Sequence, residues 1–126
     1  MNNEWLKVRE FHKKFGHPIS DKPVFLPKER VKVRSEWMYE EIDELGEAAD
    51  IVEQADAMID LIYFALGTMV EIGVPPEAIF DIVHKANMSK LWNDGKPHYN
   101  NDGKTMKPEN WEDPYKIIKN EIEKSQ

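Results

Sequence analysis

A chain of 126 residues with 40% hydrophobic and 33% charged content is long enough for one domain with its own core and too short for two ordinary ones. It has no cysteine, which excludes disulfides, thiolate catalysis and Cys-ligated metal sites. Its net charge of −7 argues against a nucleic-acid or anionic-membrane partner; with no signal-type start and no apolar run of spanning length, a cytoplasmic location is expected.

Residues 3–15 are predicted as a first helix, with Trp5, Val8, Phe11 and Phe15 at helical spacing and Gly16 and Pro18 as stops. The proline-rich stretch 17–27 reads as an extended loop whose Val24, Phe25 and Leu26 tuck against the helices. A second helix is expected over 28–49, with Val31, Trp37, Met38, Ile42 and Leu45 on its apolar side. A short break leads to a third helix, 51–72, apolar nearly all round and therefore central and buried. Gly73 ends it. Pro75 and Pro76 open a fourth helix, 76–91, with Ile79, Phe80, Ile82, Val83 and Ala86 on its buried side and His84, Asn87 and Lys90 in a polar line. Two Asp-Gly-Lys units, at 94–96 and 102–104, are turn signals, and one of them is placed to close a small hairpin. A last short helix is expected over 114–123.

These elements predict an all-α bundle of four to five helices, one domain over 1–126 with 92–126 as a loop-rich arm. The third helix has more apolar surface than one thin layer of neighbours can cover. A homodimer or higher homo-oligomer is the expectation; the alternative is that four helices of one chain suffice.

Charge is segregated along the chain. Residues 35–84 carry 13 of the 24 acids and none of the 17 bases. Within 40–60 there are nine acids and no base. So much like charge beside an apolar core calls for a compensating cation. Glu41 and Glu44 share one helix face, as do Glu53 and Asp56 on the next helix. A short link makes those helices antiparallel neighbours, so the pairs can face each other. Carboxylate pairs on two rigid helices suit Mg²⁺, with Mn²⁺ as an alternative, and such an ion handles phosphate oxygens and a bound water. Glu40 or Asp60 would add a ligand or accept that water's proton. Glu36, Asp43, Glu47 and Asp50 read instead as solvated surface. None of these paired acids is followed by a His at the Glu-x-x-His spacing of a di-iron centre. Lys90, Lys96, Lys104 and Lys107 are placed to reach a phosphate site, although each alone reads as a surface lysine. Trp37 and Trp92 could stack a base, but aromatics at helical spacing are more often core.

The pattern Glu40-Glu41-x-x-Glu44 followed by Glu53-x-x-Asp56 resembles the paired acidic motif of the MazG-like all-α nucleoside triphosphate pyrophosphohydrolases. That superfamily includes dimeric dUTPases and phosphoribosyl-ATP pyrophosphohydrolase. Residues 56–73 are similar to its metal-bearing third helix. The stretch 84–90 with both Asp-Gly-Lys units is similar to the phosphoribosyl-ATP pyrophosphohydrolase-like branch, as is 8–16. The resemblance covers roughly 5–113. It implies Mg²⁺-dependent hydrolysis of a nucleoside triphosphate between the α and β phosphates, giving monophosphate and pyrophosphate. It implies Glu41, Glu44, Glu53 and Asp56 as metal ligands, Glu40 as an extra ligand or base, and Asn87 and Lys90 as phosphate or ribose contacts. In other branches the metal aspartate directly precedes an apolar run like 61–64, which nominates Asp60; Ala57 three residues before it breaks the ExxD spacing. The choice between Asp56 and Asp60 stays open at this level. Lys104 and Trp37 complete the candidate substrate contacts. A non-catalytic nucleotide- or metal-binding module, or a helical interaction module, is the competing reading.

Overall fold

The computed structural model describes residues 1–124. It is all-helical in its regular elements: α1 Asn2–Phe15, α2 Lys28–Glu47, α3 Ile51–Ile72, α4 Pro76–Met88 and α5 Tyr115–Glu123. The chain falls into two compact units, Met1–Pro76 and the residues from Glu77 onward.

In the first unit α3 is the spine, with α2 along one side and α1 along another. Val8 of α1 meets Leu66 and Val70 of α3, with Trp5 and Ile19 packed against them. The loop after α1 runs beside the C-terminal end of α3, where Ser20 N–H donates to Val70 O and Val24 N–H to Ile72 O. The second satisfies a carbonyl that the helix end leaves without a partner, while Val70 O also accepts from Gly73 N–H. Gly73 closes α3 at φ 73°, and a Cβ there would collide with the Lys22 carbonyl. Glycine is therefore required for conformation and for space. In the loop Leu26 is buried, but Phe25 is 95% exposed and Val24 is also exposed. The expectation that all three tuck in holds for Leu26 alone.

Helices α2 and α3 are antiparallel. Arg30 bonds Glu71, Arg34 bonds Thr68, Trp37 meets Phe64, and Glu41 comes to Asp60. Each step up α2 is a step down α3. The link is residues 48–50: α2 stops at Glu47, two residues before its predicted end, and Ala48 turns extended. Asp50 then caps α3, its Oδ1 accepting from Glu53 N–H at 2.9 Å. The Glu53 carboxylate reaches back to Ala49 N–H at 3.2 Å. This reciprocal arrangement satisfies two donors at the helix start. Asp50→Ala should cost about 1 kcal/mol of stability, read as a lower denaturant midpoint with an unchanged slope.

The N-terminal half of α3 keeps its apolar stripe bare: Ile51, Val52 and Ile59 are 78%, 72% and 60% exposed. Helix α1, 14 residues long against 22 for α3, covers only the C-terminal half, where Leu66 and Val70 lie.

The second unit holds α4, a turn-rich segment and α5. Helix α4 ends at Met88, three residues early, because Ser89 Oγ donates to Ala86 O and Lys90 N–H closes a tight turn on Asn87 O. The second Asp-Gly-Lys unit closes a small hairpin. Tyr99 pairs with Thr105 across it, and Asn100 Oδ1 accepts from Asp102 and Lys104 N–H. Trp111 Nε1 donates to Ala86 O at 2.8 Å, fixing that segment on α4. No single helix among the described residues is long and apolar enough to cross a membrane.

Candidate metal centre

Glu41 faces α3 because it stands seven residues, two helical turns, after Arg34 on the same side of α2. Its side of α2 is covered, and the residue is 8% exposed. Glu44, one turn on, is exposed, and Asp60 of α3 is half-buried. One carboxylate oxygen from each of the three lies within 4.8 Å of the others. Carboxylates that close repel by about 3–4 kcal/mol per pair at an effective dielectric near 20. Glu41 Oε2 is buried and has no hydrogen-bond partner.

The Glu41 carboxyl is accordingly pushed up to about 7, first by burial, then by its hydrogen bond to Glu44 and the charges of Glu44, Asp60 and Asp56. Burial, with the charges of Asp56 and Glu44, also raises Asp60. The donor set is all oxygen, and its buried member, Glu41, carries a buried acceptor with no hydrogen-bond partner. That chemistry fits a hard divalent cation such as Mg²⁺ or Mn²⁺ and does not suit a metal that prefers nitrogen or sulfur.

Glu41 holds its proton more tightly folded, near pH 7, than its ordinary value of 4.5. Its protonated form therefore favours the metal-free fold. That contribution is complete below about pH 4.5 and is lost as the pH climbs through 7. In chelator, the melting temperature should fall between pH 5 and 8 by an amount equivalent to roughly 1–3 kcal/mol. Thermal melts of Glu41→Gln should show a clearly shallower decline; an equal decline in both proteins would remove Glu41 as its cause.

The other candidates are distributed as follows. Asp56 is exposed and lies near enough for its charge to act on both Glu41 and Asp60. Glu53 is engaged at the α3 cap. Glu40 is exposed. Trp37 is half-buried, tilted against Phe64, with the guanidiniums of Arg30 and Arg34 5.2 and 5.1 Å from its ring centre. Asn87, Lys90 and Lys104 belong to the second unit. Asn87 is exposed on α4, Lys90 lies 5.5 Å over the Trp111 ring, and Lys104 is in the hairpin. A cavity of about 590 Å³ in that unit is lined by Ala86, Ser89, Trp111 and Lys116 among others, but by none of those three.

A buried ionic network went unread in the sequence. The Glu71 side chain is fully buried and takes a two-pronged bond from Arg30 at 2.7 and 2.8 Å. Arg34, also buried, donates to Glu71 at 3.1 Å, to Thr68 Oγ1 at 3.1 Å and to Phe64 O at 2.6 Å. Gly67 makes room for it: a Cβ there would collide with Arg34 Nη2 and stand 2.9 Å from His12 Nε2. His12 Nδ1 is 2.8 Å from Pro18 O. A carbonyl only accepts, so Nδ1 carries the proton, and burial keeps the imidazole neutral by lowering its pKa. An acid ending the most apolar helix, with two arginines four apart on α2, is the signal that was available.

The all-helical frame thus holds an acidic cluster between two antiparallel helices. Residues 8–87 match the model of the phosphoribosyl-ATP pyrophosphohydrolase family, and the chain belongs to that family, within the MazG-like superfamily. No curated protein matches it. Among solved structures it is similar to a protein of Exiguobacterium sp. 255-15, provisionally named an NTP pyrophosphohydrolase. The identity is 29%, covering 97% of this chain and 95% of that one, with a TM-score of 0.53.

Proposed function

We propose that this chain hydrolyses a nucleoside or deoxynucleoside triphosphate, or a close analogue, between the α and β phosphates, releasing pyrophosphate. The observation that carries the reading is the three-carboxylate cluster whose buried member, Glu41, has an Oε2 with no hydrogen-bond partner. Glu41, Glu44 and Asp60 would hold Mg²⁺ or Mn²⁺. When bound, such an ion neutralises phosphate charge and acidifies a water. Glu41 must give up its proton to serve as a ligand, so affinity for the ion should rise with pH towards 7. Asp56, beside the cluster, supplies further negative charge and a fourth oxygen donor. Glu53 would have to leave the Ala49 amide to join it. Glu40, exposed on α2, is proposed to accept a proton from outside the cluster.

Asn87, Lys90 and Lys104 are proposed to contact phosphate or ribose, with residues 1–126 working as one catalytic domain. Trp37, its ring already occupied by two guanidiniums, keeps a packing role in this reading. The bare stripe at Ile51, Val52 and Ile59 supports a homo-oligomer, to be read by light scattering.

The test is a nucleotide panel with pyrophosphate and orthophosphate measured separately, with and without chelator. Pyrophosphate release that chelator stops is expected. Orthophosphate alone would refute α–β cleavage, and nucleotide binding without turnover would favour a binding module.

A further inference from the structure

The polar contacts between α2 and α3 form a ladder with a charge order. Arg30 and Arg34 meet Glu71 at one end, the Trp37–Phe64 pair fills the middle, and Glu41 and Glu44 meet Asp60 towards the other. The successive α2 positions 30, 34, 37, 41 and 44 alternate spacings of four and three, the stripe that faces a partner helix. Apolar residues normally fill such a stripe. Here four of the five positions are ionisable, and the aromatic pair separates the positive rungs from the negative ones.

The negative rungs push the helices apart, since three carboxylates converge with no ion pair to a cation among the described residues. Two ties oppose that. One is covalent: residues 48–50 join the helices just beyond Glu44. The other lies beyond the aromatic pair, where Arg34 alone bonds three separate groups of α3: Phe64 O, Thr68 Oγ1 and Glu71. Phe64 is the residue one turn after Asp60, so its carbonyl anchors Arg34 to the turn that follows the cluster's own aspartate. Arg30 neutralises Glu71 through both carboxylate oxygens, which leaves the Arg34 fork free to span the three groups.

We propose that Arg34 is a positioning residue for the acidic cluster: its fork clamps α2 to α3 and holds Glu41 and Glu44 against Asp60 in spite of their repulsion. The inference rests on the metal-centre reading above. The clamp sets the cluster's spacing before any ion arrives, so the ion does not have to close the helices itself. Loosening the clamp therefore weakens ion binding without touching a ligand. Lysine is no substitute, because a point ammonium cannot meet three acceptors along a helix as a planar fork does.

The test uses the full chain, stripped of metal and without nucleotide. Arg34→Met removes the fork at similar length, and Glu71 keeps Arg30, so no buried acid is orphaned. Val8→Ala is the control for lost stability, since Val8 packs on Leu66 and Val70, away from the ladder. Calorimetric titration with Mn²⁺ should show affinity falling about tenfold or more in Arg34→Met and staying within about twofold in Val8→Ala. The chain has no cysteine, so spin labels at Glu36→Cys and Ala65→Cys, in labelled protein diluted with unlabelled chain, report helix separation directly. The distance should be narrow in the parent and broadened in Arg34→Met. Unchanged distance or unchanged Mn²⁺ affinity in Arg34→Met overturns the clamp. If the parent takes up no Mn²⁺, the metal-centre reading fails, while the label distances still decide whether Arg34 holds the helices. Should Arg34→Met fail to fold, Thr68→Val removes one anchor and is read by both measurements, with a smaller change in the same direction.

Discussion

Glu41→Gln should abolish turnover, with a loss of at least 10²–10³-fold by the scale of removing a group that stabilises developing charge, and should stabilise the metal-free protein above neutral pH. The two effects have one origin. Glutamine keeps the length and shape of the side chain but cannot ionise. In the native site the Glu41 carboxyl is pushed up to about 7, so above that pH it is a buried anion beside two more carboxylates. The amide removes that charge and can donate to Glu44 or Asp60. A variant that gains melting temperature in chelator, loses the stabilising effect of added Mg²⁺ and loses activity would tie the repulsion to function. Activity within tenfold of the parent would take Glu41 out of the site.

Glu71→Ala should be the most damaging single change in the first unit, costing about 3–5 kcal/mol. Arg34 is buried, and truncating Glu71 leaves its guanidinium without a carboxylate in a setting it cannot leave, because Phe64 O, Thr68 and Gly67 surround it. Arg30 is partly exposed and can turn to water. The loss should therefore be partly recovered in the Glu71→Ala, Arg34→Met double variant, where no buried charge remains. Chemical denaturation of the four proteins of this cycle measures the coupling. Additive losses would show that the pair is not coupled.

The helical frame was legible in the sequence where periodicity and stop signals agree. The bounds of α3 are those read from its apolar run and Gly73. The end of α4 was not, because a side-chain bond from Ser89 to Ala86 O competes with the next helical turn. Glu41 and Glu44 were readable as one face from their spacing of three. The partner on α3 was ambiguous for a physical reason. An acid three residues after a helix-capping Asp has the spacing of a ligand pair and also of a capping box, and Glu53 is engaged as the latter. Asp60 comes into the cluster because it lies opposite Glu41 in the antiparallel ladder, a fact of helix rotation that no spacing rule on α3 alone supplies. Glu71 and Arg34 stand 37 positions apart, and a pairing that distant is set by the fold.

The charge order along α2 has a consequence for the helix taken by itself. Its first turns carry Lys28, Arg30, Lys32 and Arg34 against the one acid Glu29, and its last carry Glu40, Glu41, Asp43, Glu44 and Glu47, with no basic residue in the final turn. A helix has a positive pole at its N-terminus and a negative pole at its C-terminus, so both ends of α2 place charge against the macrodipole. A peptide of residues 28–47 should be close to unstructured in water, whatever the propensities of its residues. The negative pole of α2 lies at the same end as its acids, and the positive pole of antiparallel α3 lies there too, so the carboxylates rather than the peptide dipoles draw a cation to that end. The sequence that disfavours this helix in isolation is the one that makes its end attractive to a metal ion.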